Sequence, residues 1–366
     1  MADTKFIDTG SYPVYIGSDI YTILQNFIQL DTYKKSRFYV LTDENTNKFC
    51  LPRLLDKVGS LSYAGMITIP PGEHNKSIET CGYVWNYLTR EKADRHSILI
   101  NLGGGMVTDL GGFAASTYKR GIRSINVPTT LIGQIDASIG GKVGVDYGSL
   151  KNLIGCYNNP QAVFIDPTFL STLDETEKLS GFAEIIKYGL ISDASFFHYL
   201  YSRPVKEHTD WISLIEKSVE IKTSVVKIDP VERKYRKVLN FGHTIGHALE
   251  SSVLETGNRN VSHGSAVATG MICATWISGK QLNLPQSTVV KINTYIAENI
   301  GIVGGLASHR ERILQLVSND KKNERGKILF TLIAGIGNAV INREVSIDMI
   351  AGSIDYCIGL EEKYAR

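Results

Sequence analysis

The sequence contains histidine and glutamate residues whose spacing is typical of a metal site. His243, His247 and Glu250 are four and three residues apart, so a helix would place all three side chains on one face. His263 follows a polar loop. A His-x-x-x-His pair commonly binds a metal ion, but Glu250 does not stand where a His-Glu-x-x-His zinc peptidase requires its glutamate. The pattern therefore indicates a metal centre and disfavours a peptidase, and a histidine pair without metal is the alternative.

A carboxylate in another segment completes this candidate set. Glu184 and Lys187 lie one helical turn apart within the otherwise apolar stretch Ser180–Gly189. An unpaired charge would be costly among such neighbours, which makes the alternative of a solvated helix face less favourable. One carboxylate with two imidazoles leaves open positions on a zinc ion, and that composition is typical of a catalytic site.

A glycine-rich turn indicates a nucleotide site. Gly103–Gly105 follow the apolar run Ile98–Leu102 directly and precede a helical segment that contains Asp109. Glycines let backbone N–H groups approach a pyrophosphate at a helix N-terminus, although the G-x-G-x-x-G spacing is absent and a tight structural turn is the alternative. Asp43, close to Asn45 at the end of another predicted strand, could accept hydrogen bonds from ribose hydroxyls or could be a solvated turn residue.

The elements that must position these residues differ between the two halves of the chain. Short apolar runs alternate with helical stretches in the first half, which predicts a parallel sheet covered by helices. Ligands bind such sheets at the carboxyl ends of the strands. The predicted strands are Phe38–Thr42, Met66–Ile69, Ile98–Leu102, Ser124–Val127 and Val163–Ile165.

The second half is predicted to be mostly helical, with one late strand at Ile328–Ile333. A capping box at Ser171–Glu175 places the boundary near residue 175. Because 366 residues exceed the usual single core of about 250–300, we expect domains at 1–175 and 176–366 with a cleft between them. The predicted helices are Glu175–Ile191, Trp211–Val226, Phe241–Ser252, Ala266–Leu282, Val289–Asn299 and Ile347–Ile358.

Composition excludes several classes of protein. A hydrophobic fraction of 43% and a charged fraction of 21% are typical of a globular protein and exclude a disordered or collagen-like chain. The net charge of +2 is too small to favour nucleic acid as a partner. The first twenty residues lack a signal-peptide core, and no apolar run is long enough to span a membrane. Five scattered cysteines without a C-x-x-C pair disfavour a disulfide framework or a thiolate zinc site, so we expect a cytoplasmic protein.

Motifs along most of the chain resemble the 3-dehydroquinate synthase family in their order and content. They are Gly103–Gly121, Pro128–Thr130, Asp136–Lys142, Lys151–Gly155, Gly181–Glu184, Asn240–Glu250, His263–Gly264 and Asp320–Lys322. The resemblance implies an α/β plus α architecture, with an N-terminal Rossmann-like nucleotide-binding domain and a C-terminal, mostly helical domain for metal and substrate. That division agrees with the boundary expected from the pattern alone.

The resemblance also implies roles for individual residues. Glu184, His243 and His263 would bind Zn²⁺ or Co²⁺, while His247 and Glu250 would transfer protons. Residues on the NAD-binding motifs are Asp43, Asn45, Glu73, Lys76, Gly104, Asp109, Thr129, Thr130, Asp136, Lys142, Lys151, Phe169 and Thr172. Residues on the substrate-binding motifs are Arg120, Lys142, Asn152, Lys187, Lys222, Arg236, Asn240 and one of Lys321 and Lys322.

The implied substrate is 3-deoxy-D-arabino-heptulosonate 7-phosphate, and the implied product is 3-dehydroquinate, an intermediate of aromatic amino acid biosynthesis. NAD would oxidise the hydroxyl at carbon 5, which acidifies the neighbouring C–H and lets phosphate leave. The ketone would then be reduced again, and an intramolecular aldol step would close the carbocycle. The family also implies a homodimer.

Two positions depart from the family pattern, and three other functions are alternatives. Ser265 stands where the family has mostly Glu, and Asp146 where Asn is more usual. The alternatives are a sister sugar-phosphate cyclase such as 2-deoxy-scyllo-inosose synthase, a metal-dependent polyol dehydrogenase that releases NADH, and a non-catalytic metal-binding scaffold. The first is disfavoured by the dehydroquinate-like arrangement of four residues, Asp136, Lys142, Lys151 and Asn152.

Overall fold

A computed structural model describes residues 4–148, 150–257, 261–318 and 327–364. The strands are β1 (Lys5–Asp8), β2 (Pro13–Ile16), β3 (Phe38–Asp43), β4 (Gly65–Ile69), β5 (Ile98–Gly103), β6 (Arg123–Pro128), β7 (Lys142–Tyr147), β8 (Leu150–Tyr157), β9 (Val163–Ile165), β10 (Leu329–Gly335) and β11 (Asn338–Glu344). The helices are α1 (Ile20–Ile28), α2 (Glu44–Phe49), α3 (Leu51–Lys57), α4 (Ile78–Arg90), α5 (Gly105–Thr117), α6 (Glu175–Ser192), α7 (Ala194–Tyr201), α8 (Trp211–Ile228), α9 (His243–Glu255), α10 (His263–Gln281), α11 (Gln286–Asn299), α12 (Leu306–Ser318) and α13 (Ile347–Tyr364). None of the helices within these ranges is long and apolar enough to cross a membrane.

Seven strands form the sheet of the first half in the order β1-β2-β9-β6-β5-β3-β4. All neighbouring pairs are parallel except β1 with β2. The predicted parallel sheet is therefore confirmed, together with its five predicted strands. The strands β1 and β2 at one side of the sheet and the separate hairpin β7–β8 were not predicted, because short or partly exposed strands carry a weak apolar signal.

The central strand β5 is buried on both faces, as its continuous apolar run predicts. Ile98 and Ile100 pack into a cluster with residues of α1 and α3, whereas Leu99 packs into a second cluster with residues of α4 and α5. The alternation follows from the two-residue period of a strand. Helices therefore cover both faces of the sheet and leave the carboxyl ends of the strands to the loops.

The described residues group into two compact units. The first contains the residues up to Asp174 together with Trp211–Lys227, and the second contains Glu175–Asp210 and the residues from Ile228 onward. The break after Asp174 is one residue from the predicted boundary. The assignment of 211–227 differs from the prediction, which placed every residue after 175 in the second domain. Contacts made by α8 explain the difference, since the Lys222 ammonium donates to the Asp136 carbonyl oxygen at 2.5 Å.

The second unit contains the predicted helices other than Trp211–Val226, with two corrections that affect the candidate site. Helix α9 begins at His243 instead of Phe241, because Gly242 has a φ of +81° that ends the preceding turn. Helix α10 begins at His263, three residues before the predicted start, because the Ser262 hydroxyl caps it by accepting the Ser265 N–H.

The late strand is confirmed as β10, which pairs with the unpredicted β11. The predicted capping box is wrong in its first residue. Ser171 lies four residues before Glu175, the first residue of α6, and its hydroxyl donates to the Thr168 carbonyl oxygen at 2.8 Å.

Candidate metal centre and nucleotide-binding site

Three helices of the second unit bring the predicted metal ligands together. Glu184 lies in the buried middle of α6, while His243 and His263 are the first residues of α9 and α10. The Glu184 Oε1 atom is 3.6 Å from His243 Nε2 and 3.7 Å from His263 Nε2. A carboxylate oxygen and two imidazole nitrogens therefore face one point, although 59 residues of sequence separate Glu184 from His243.

The third histidine joins the same group. The His247 ring centroid is 5.1 Å from that of His243 and 5.7 Å from that of His263. Each of the three imidazoles offers a nitrogen atom, and these nitrogens lie within 4.8 Å of one another. The geometry alone thus allows two ligand sets, either all three histidines or Glu184 with His243 and His263.

Hydrogen bonding and burial prepare His243 to bind a cation. Its Nδ1 atom lies 3.1 Å from the Phe241 carbonyl oxygen and donates to it, which leaves the Nε2 lone pair facing Glu184. Burial, followed by the positive charge of Lys187, lowers the pKa of His243 well below its usual value. A neutral imidazole is the form that metals bind, so the environment of His243 suits a ligand.

The carboxylate of Glu184 is wholly buried and only partly compensated. Oε2 contacts the Lys187 ammonium, whereas Oε1 accepts no hydrogen bond from any residue within the described ranges. An uncompensated buried carboxylate oxygen is costly, and a divalent cation held with the nearby imidazoles would remove that cost. The residues present therefore fit a zinc-type or cobalt-type ion.

Glu250 orients His263. Its Oε2 atom lies 3.4 Å from His263 Nδ1, and carboxylates commonly hold the second nitrogen of a metal-binding imidazole in this way. Ser265, which stands where the family has mostly Glu, offers no carboxylate to support a metal ligand. Ser265 itself donates to the Ser262 carbonyl oxygen at 2.8 Å and stabilises the start of α10. Glu250 thus supplies the supporting carboxylate that Ser265 lacks.

The glycine turn of the first unit joins β5 to α5. Gly103 ends the strand, Gly104 precedes the helix and Gly105 begins it. A Cβ atom on Gly104 would lie 2.7 Å from Thr130 Cγ2, so only glycine lets the loop after β6 approach this closely. The Thr129 N–H donates to the Gly103 carbonyl oxygen at 3.0 Å. Two predicted NAD-binding segments therefore meet at the N-terminus of a 13-residue helix, which is a favourable position for a pyrophosphate.

A buried lysine connects several of the predicted residues. Lys76 is 3% exposed, and its Nζ atom lies 2.6 Å from Asp109 Oδ2 and 2.6 Å from Asn152 Oδ1. Glu73 Oε1 is 3.6 Å away. Burial alone would lower the pKa of Lys76, but the carboxylates of Asp109 and Glu73 outweigh burial and raise it. Lys76 is therefore a charged group that is already neutralised within the protein.

Asp146, the second departure from the family pattern, supports Asn152. Asn152 has a φ of +51°, an uncommon conformation for a residue with a side chain. Asp146 Oδ1 accepts the Asn152 N–H at 2.7 Å, and the Asp146 N–H donates to the Lys76 carbonyl oxygen at 2.8 Å. Either an aspartate or an asparagine oxygen could accept the Asn152 N–H, so the departure preserves this contact.

Asp43 and Asp136 each have a structural partner within the first unit. Asp43 caps α2, because its Oδ1 atom accepts the Thr46 N–H at 2.7 Å, and Asn45 lies within that helix. The Asp136 carboxylate contacts the Lys222 ammonium. Asp43 is the last residue of β3 and Asp136 follows β6, so both lie on the carboxyl-terminal side of strands, where a nucleotide is expected.

The predicted residues after β9 lie in the turn Pro167–Thr172. The Phe169 ring is buried in a core cluster, so this residue could offer a ligand only its backbone. The Thr172 hydroxyl donates to the Phe169 carbonyl oxygen at 3.2 Å.

The remaining predicted substrate residues occupy different environments. In the first unit, Arg120 is exposed with a φ of +68°, Lys142 is exposed at the start of β7, and Lys151 is half-buried on β8. In the second unit, Arg236 is buried and donates to the Pro230 carbonyl oxygen at 2.6 Å, and Asn240 donates to Glu232 Oε1 at 2.7 Å. Lys321 and Lys322 lie outside the described residues.

Family models and a relative similar over nearly the full chain point to the same family. Models described as 3-dehydroquinate synthase N-terminal and 3-dehydroquinate synthase C-terminal match residues 66–180 and 181–323. The chain is 40% identical over 346 residues to a 3-dehydroquinate synthase from Parabacteroides distasonis, and the match covers 94% of this chain and 97% of that protein.

Solved structures share the fold at lower identity. A 2-deoxy-scyllo-inosose synthase complexed with carbaglucose-6-phosphate, NAD⁺ and Co²⁺ has a TM-score of 0.82 at 23% identity, covering 97% of this chain and 99% of that chain. A 2-epi-5-epi-valiolone synthase from Streptomyces hygroscopicus subsp. jinggangensis with NAD⁺ and Zn²⁺ bound has a TM-score of 0.84 at 23% identity, covering 98% and 99%.

Proposed function

The chain belongs to the 3-dehydroquinate synthase family, and we propose that it converts 3-deoxy-D-arabino-heptulosonate 7-phosphate to 3-dehydroquinate and phosphate. The observation that carries the proposal is the convergence of Glu184 Oε1 with the Nε2 atoms of His243 and His263. Removing hydride from a sugar alcohol requires a group that stabilises its oxygen, and this donor set suits the metal ion that would do so.

We propose NAD as the cofactor of the first unit and Zn²⁺ or Co²⁺ as the ion held by Glu184, His243 and His263. Support comes from the glycine turn at α5, from the uncompensated Glu184 oxygen, and from fold relatives that bind NAD⁺ with Co²⁺ or Zn²⁺. When bound, NAD accepts and later returns the hydride of carbon 5, and the ion acts as a Lewis acid toward the sugar oxygens.

His247 is the proposed proton carrier for the carbon 5 hydroxyl. Its ring lies beside those of His243 and His263, yet it is not needed as a ligand if Glu184 binds the ion. An imidazole is suited to proton exchange near neutral pH. Glu250 was predicted to share the proton transfer, and its contact with His263 adds the role of holding that ring in place.

The remaining groups would bind the anionic ends of the substrate. Lysine and arginine side chains form charge-assisted hydrogen bonds with carboxylate and phosphate oxygens, and asparagine amides bind hydroxyls. A firmly held phosphate dianion could remove the proton on the carbon next to its own, which would let it leave without a separate protein base. The proposed substrate ligands are Arg120, Lys142, Asn152, Lys187, Lys222, Arg236 and Asn240.

The test is an assay with purified protein, NAD, zinc and the heptulosonate phosphate. We expect phosphate release and formation of the carbocyclic product in equal amounts, with no net NADH. Stoichiometric accumulation of NADH would assign a polyol dehydrogenase instead. Turnover of glucose 6-phosphate or sedoheptulose 7-phosphate, with inertness toward the heptulosonate phosphate, would assign a sister cyclase. A homodimer and a cytoplasmic location stay predictions of the sequence.

A further inference from the structure

Two buried polar residues of the first unit connect three of the segments that carry predicted NAD-binding residues. We infer that Gln134 and Asp166 are positioning residues for NAD: they hold these segments in a binding-competent arrangement without serving as ligands. The inference rests on the proposed function, because it takes NAD to be the ligand of these segments. Both residues are wholly buried, with 0% exposure.

The carboxylate of Asp166, directly after β9, has a partner on each side. Its Oδ1 atom accepts the Thr168 N–H at 2.9 Å and the Thr168 hydroxyl at 2.7 Å. Its Oδ2 atom accepts the Tyr21 hydroxyl at 2.5 Å and pairs with Arg53 Nη2 at 3.0 Å. If the Asp166 carboxylate moved, it would lose these partners, and a buried carboxylate without partners is costly. The carboxylate therefore has one stable position.

This carboxylate and its partners anchor the turn Pro167–Thr172. The Asp166 carbonyl oxygen accepts the Phe169 N–H at 3.2 Å. The Arg53 guanidinium lies 5.7 Å from the centre of the Phe169 ring and 5.7 Å from that of Tyr21. Helices α1 and α3 therefore determine where the turn after β9 lies, since Tyr21 and Arg53 belong to those helices.

Gln134 connects that turn to the loop after β6. Its Nε2 atom donates to the Asp166 carbonyl oxygen at 2.9 Å and to the Pro128 carbonyl oxygen at 3.3 Å. Pro128 immediately precedes Thr129 and Thr130. One side-chain amide thus joins the ends of β6 and β9.

Gln134 also lies in an unusual backbone segment. Residues Gly133–Ala137 form a single π-helical turn, which contains the predicted NAD-binding residue Asp136. Such turns are rare and occur frequently at functional sites. The amide of Gln134 therefore ties this turn as well to the two strand ends.

Loops at the carboxyl ends of parallel strands form the nucleotide site of this class of fold. A ligand that must order such loops binds more weakly, because the ordering opposes binding. Contacts that order the loops in advance therefore strengthen NAD binding although they do not touch NAD. We expect the loss of one anchor to raise the dissociation constant of NAD by roughly three- to tenfold.

The test uses Gln134→Met, which keeps the side-chain length but removes both donated hydrogen bonds. The matched control is Asn293→Leu in the second unit, where a buried amide donates to the Ile272 carbonyl oxygen at 3.3 Å. NAD dissociation constants are measured by calorimetry on full-length, zinc-loaded protein, and zinc content and unfolding temperature are recorded for each variant. We expect about tenfold weaker NAD binding for Gln134→Met and unchanged NAD binding for Asn293→Leu, with equal zinc content and similarly lowered unfolding temperatures.

Tyr21→Phe and Thr168→Val extend the test if Gln134→Met does not fold, because each removes one hydroxyl from Asp166 at nearly constant volume. We expect about threefold weaker NAD binding for each. Dissociation constants within twofold of wild type in every folded variant of the three would overturn the inference. Weakening of the same size in the Asn293→Leu control would also overturn it, since a general loss of stability would then suffice. Failure of the wild-type protein to bind NAD would refute both the proposed function and the inference. That outcome is distinct from the others because the wild-type measurement alone reveals it.

Discussion

The Lys76 cluster of the first unit and the Glu184 cluster of the second both bury charge, but they differ in completeness. Lys76 has Asp109 and Asn152 at 2.6 Å and Glu73 at 3.6 Å, so its positive charge is balanced by the protein. Glu184 has Lys187 at one oxygen, while its other oxygen faces the nitrogens of His243 and His263. The described donors leave that oxygen without a hydrogen bond.

The difference distinguishes residues whose polar contacts are complete within the protein from residues whose contacts a bound ligand would complete. A balanced cluster is stable by itself and fixes the segments it joins, here those of Glu73, Asp109 and Asn152. The Glu184 cluster is unbalanced in the sense that Oε1 accepts no hydrogen bond from the described residues, and a cation bound there would stabilise it to an extent that depends on the cation concentration.

Removing a ligand from the unbalanced cluster has the largest expected effect. We expect His243→Ala to lose bound metal and to lower the rate of product formation on the order of 1,000-fold, because the Lewis acid is lost with it. Added zinc should raise the unfolding temperature of the wild type but not of the variant. Metal analysis and thermal unfolding check this. The exposed His198→Ala is the control and should match the wild type, and equal metal content in His243→Ala and wild type would reject the ligand assignment.

His247 distinguishes the two ligand sets that the geometry allows. We expect His247→Ala to keep its metal and to lower the rate about 100-fold, the effect of removing a general acid–base group. Metal content and steady-state rate are measured on the same preparation. If the variant loses metal as fully as His243→Ala does, then His247 is a ligand and the three-histidine set is correct.

Breaking the balanced cluster should lower stability instead of metal content. Lys76→Met leaves Asp109 uncompensated, so we expect the free energy of unfolding to fall by about 3 kcal/mol. Urea unfolding measures the change, and adding Asp109→Asn should recover part of it. The control is Lys327→Met, which removes an ion pair with Glu344 in which each side chain is 57% exposed. It should change the free energy of unfolding by less than about 0.5 kcal/mol. A loss below 1 kcal/mol in Lys76→Met would mean that the cluster is not balanced as described.

A smaller, pH-dependent effect is expected from His208, a buried histidine that is not a proposed metal ligand. His208 is buried, its Nε2 atom bonds to the Leu200 carbonyl oxygen at 3.0 Å, and Nδ1 has no partner in the described part of the chain. Burial lowers the pKa of His208 below its usual 6.5. The unfolded chain then binds a proton that the native state does not, so this stability is present above pH 6.5 and is lost as the pH falls below it.

We expect the wild-type free energy of unfolding to fall through this group as the pH drops below 6.5, and His208→Gln to lack that part of the slope. Urea unfolding at a series of pH values checks it. The exposed His198→Gln should keep the wild-type slope. An unchanged slope in His208→Gln would show that folding does not shift the pKa of His208.

Local patterns were enough to predict the elements that carry the site. The apolar runs predicted β3, β4, β5, β6 and β9, and each forms a strand within about two residues of its predicted bounds. The helix starts were less accurate, since α9 begins at His243 after the left-handed Gly242 and α10 begins at a serine cap. Such ends depend on single backbone conformations and caps, which apolar periodicity does not report.

Spacing along the chain is enough to place His243 and His247 on one helix face, because residues four apart share a face in any α-helix. The glycine-rich turn Gly103–Gly105 was also predictable, whereas the close approach of Thr130 to Gly104 is a tertiary contact. Three further features became visible in the folded chain alone: Glu250 contacts His263, Lys76 joins Asp109 to Asn152, and α8 groups with the first unit. Those contacts join residues that are distant in the chain, and the physical reason is that burial requires each charge to find a partner wherever the packed helices and strands bring one within reach.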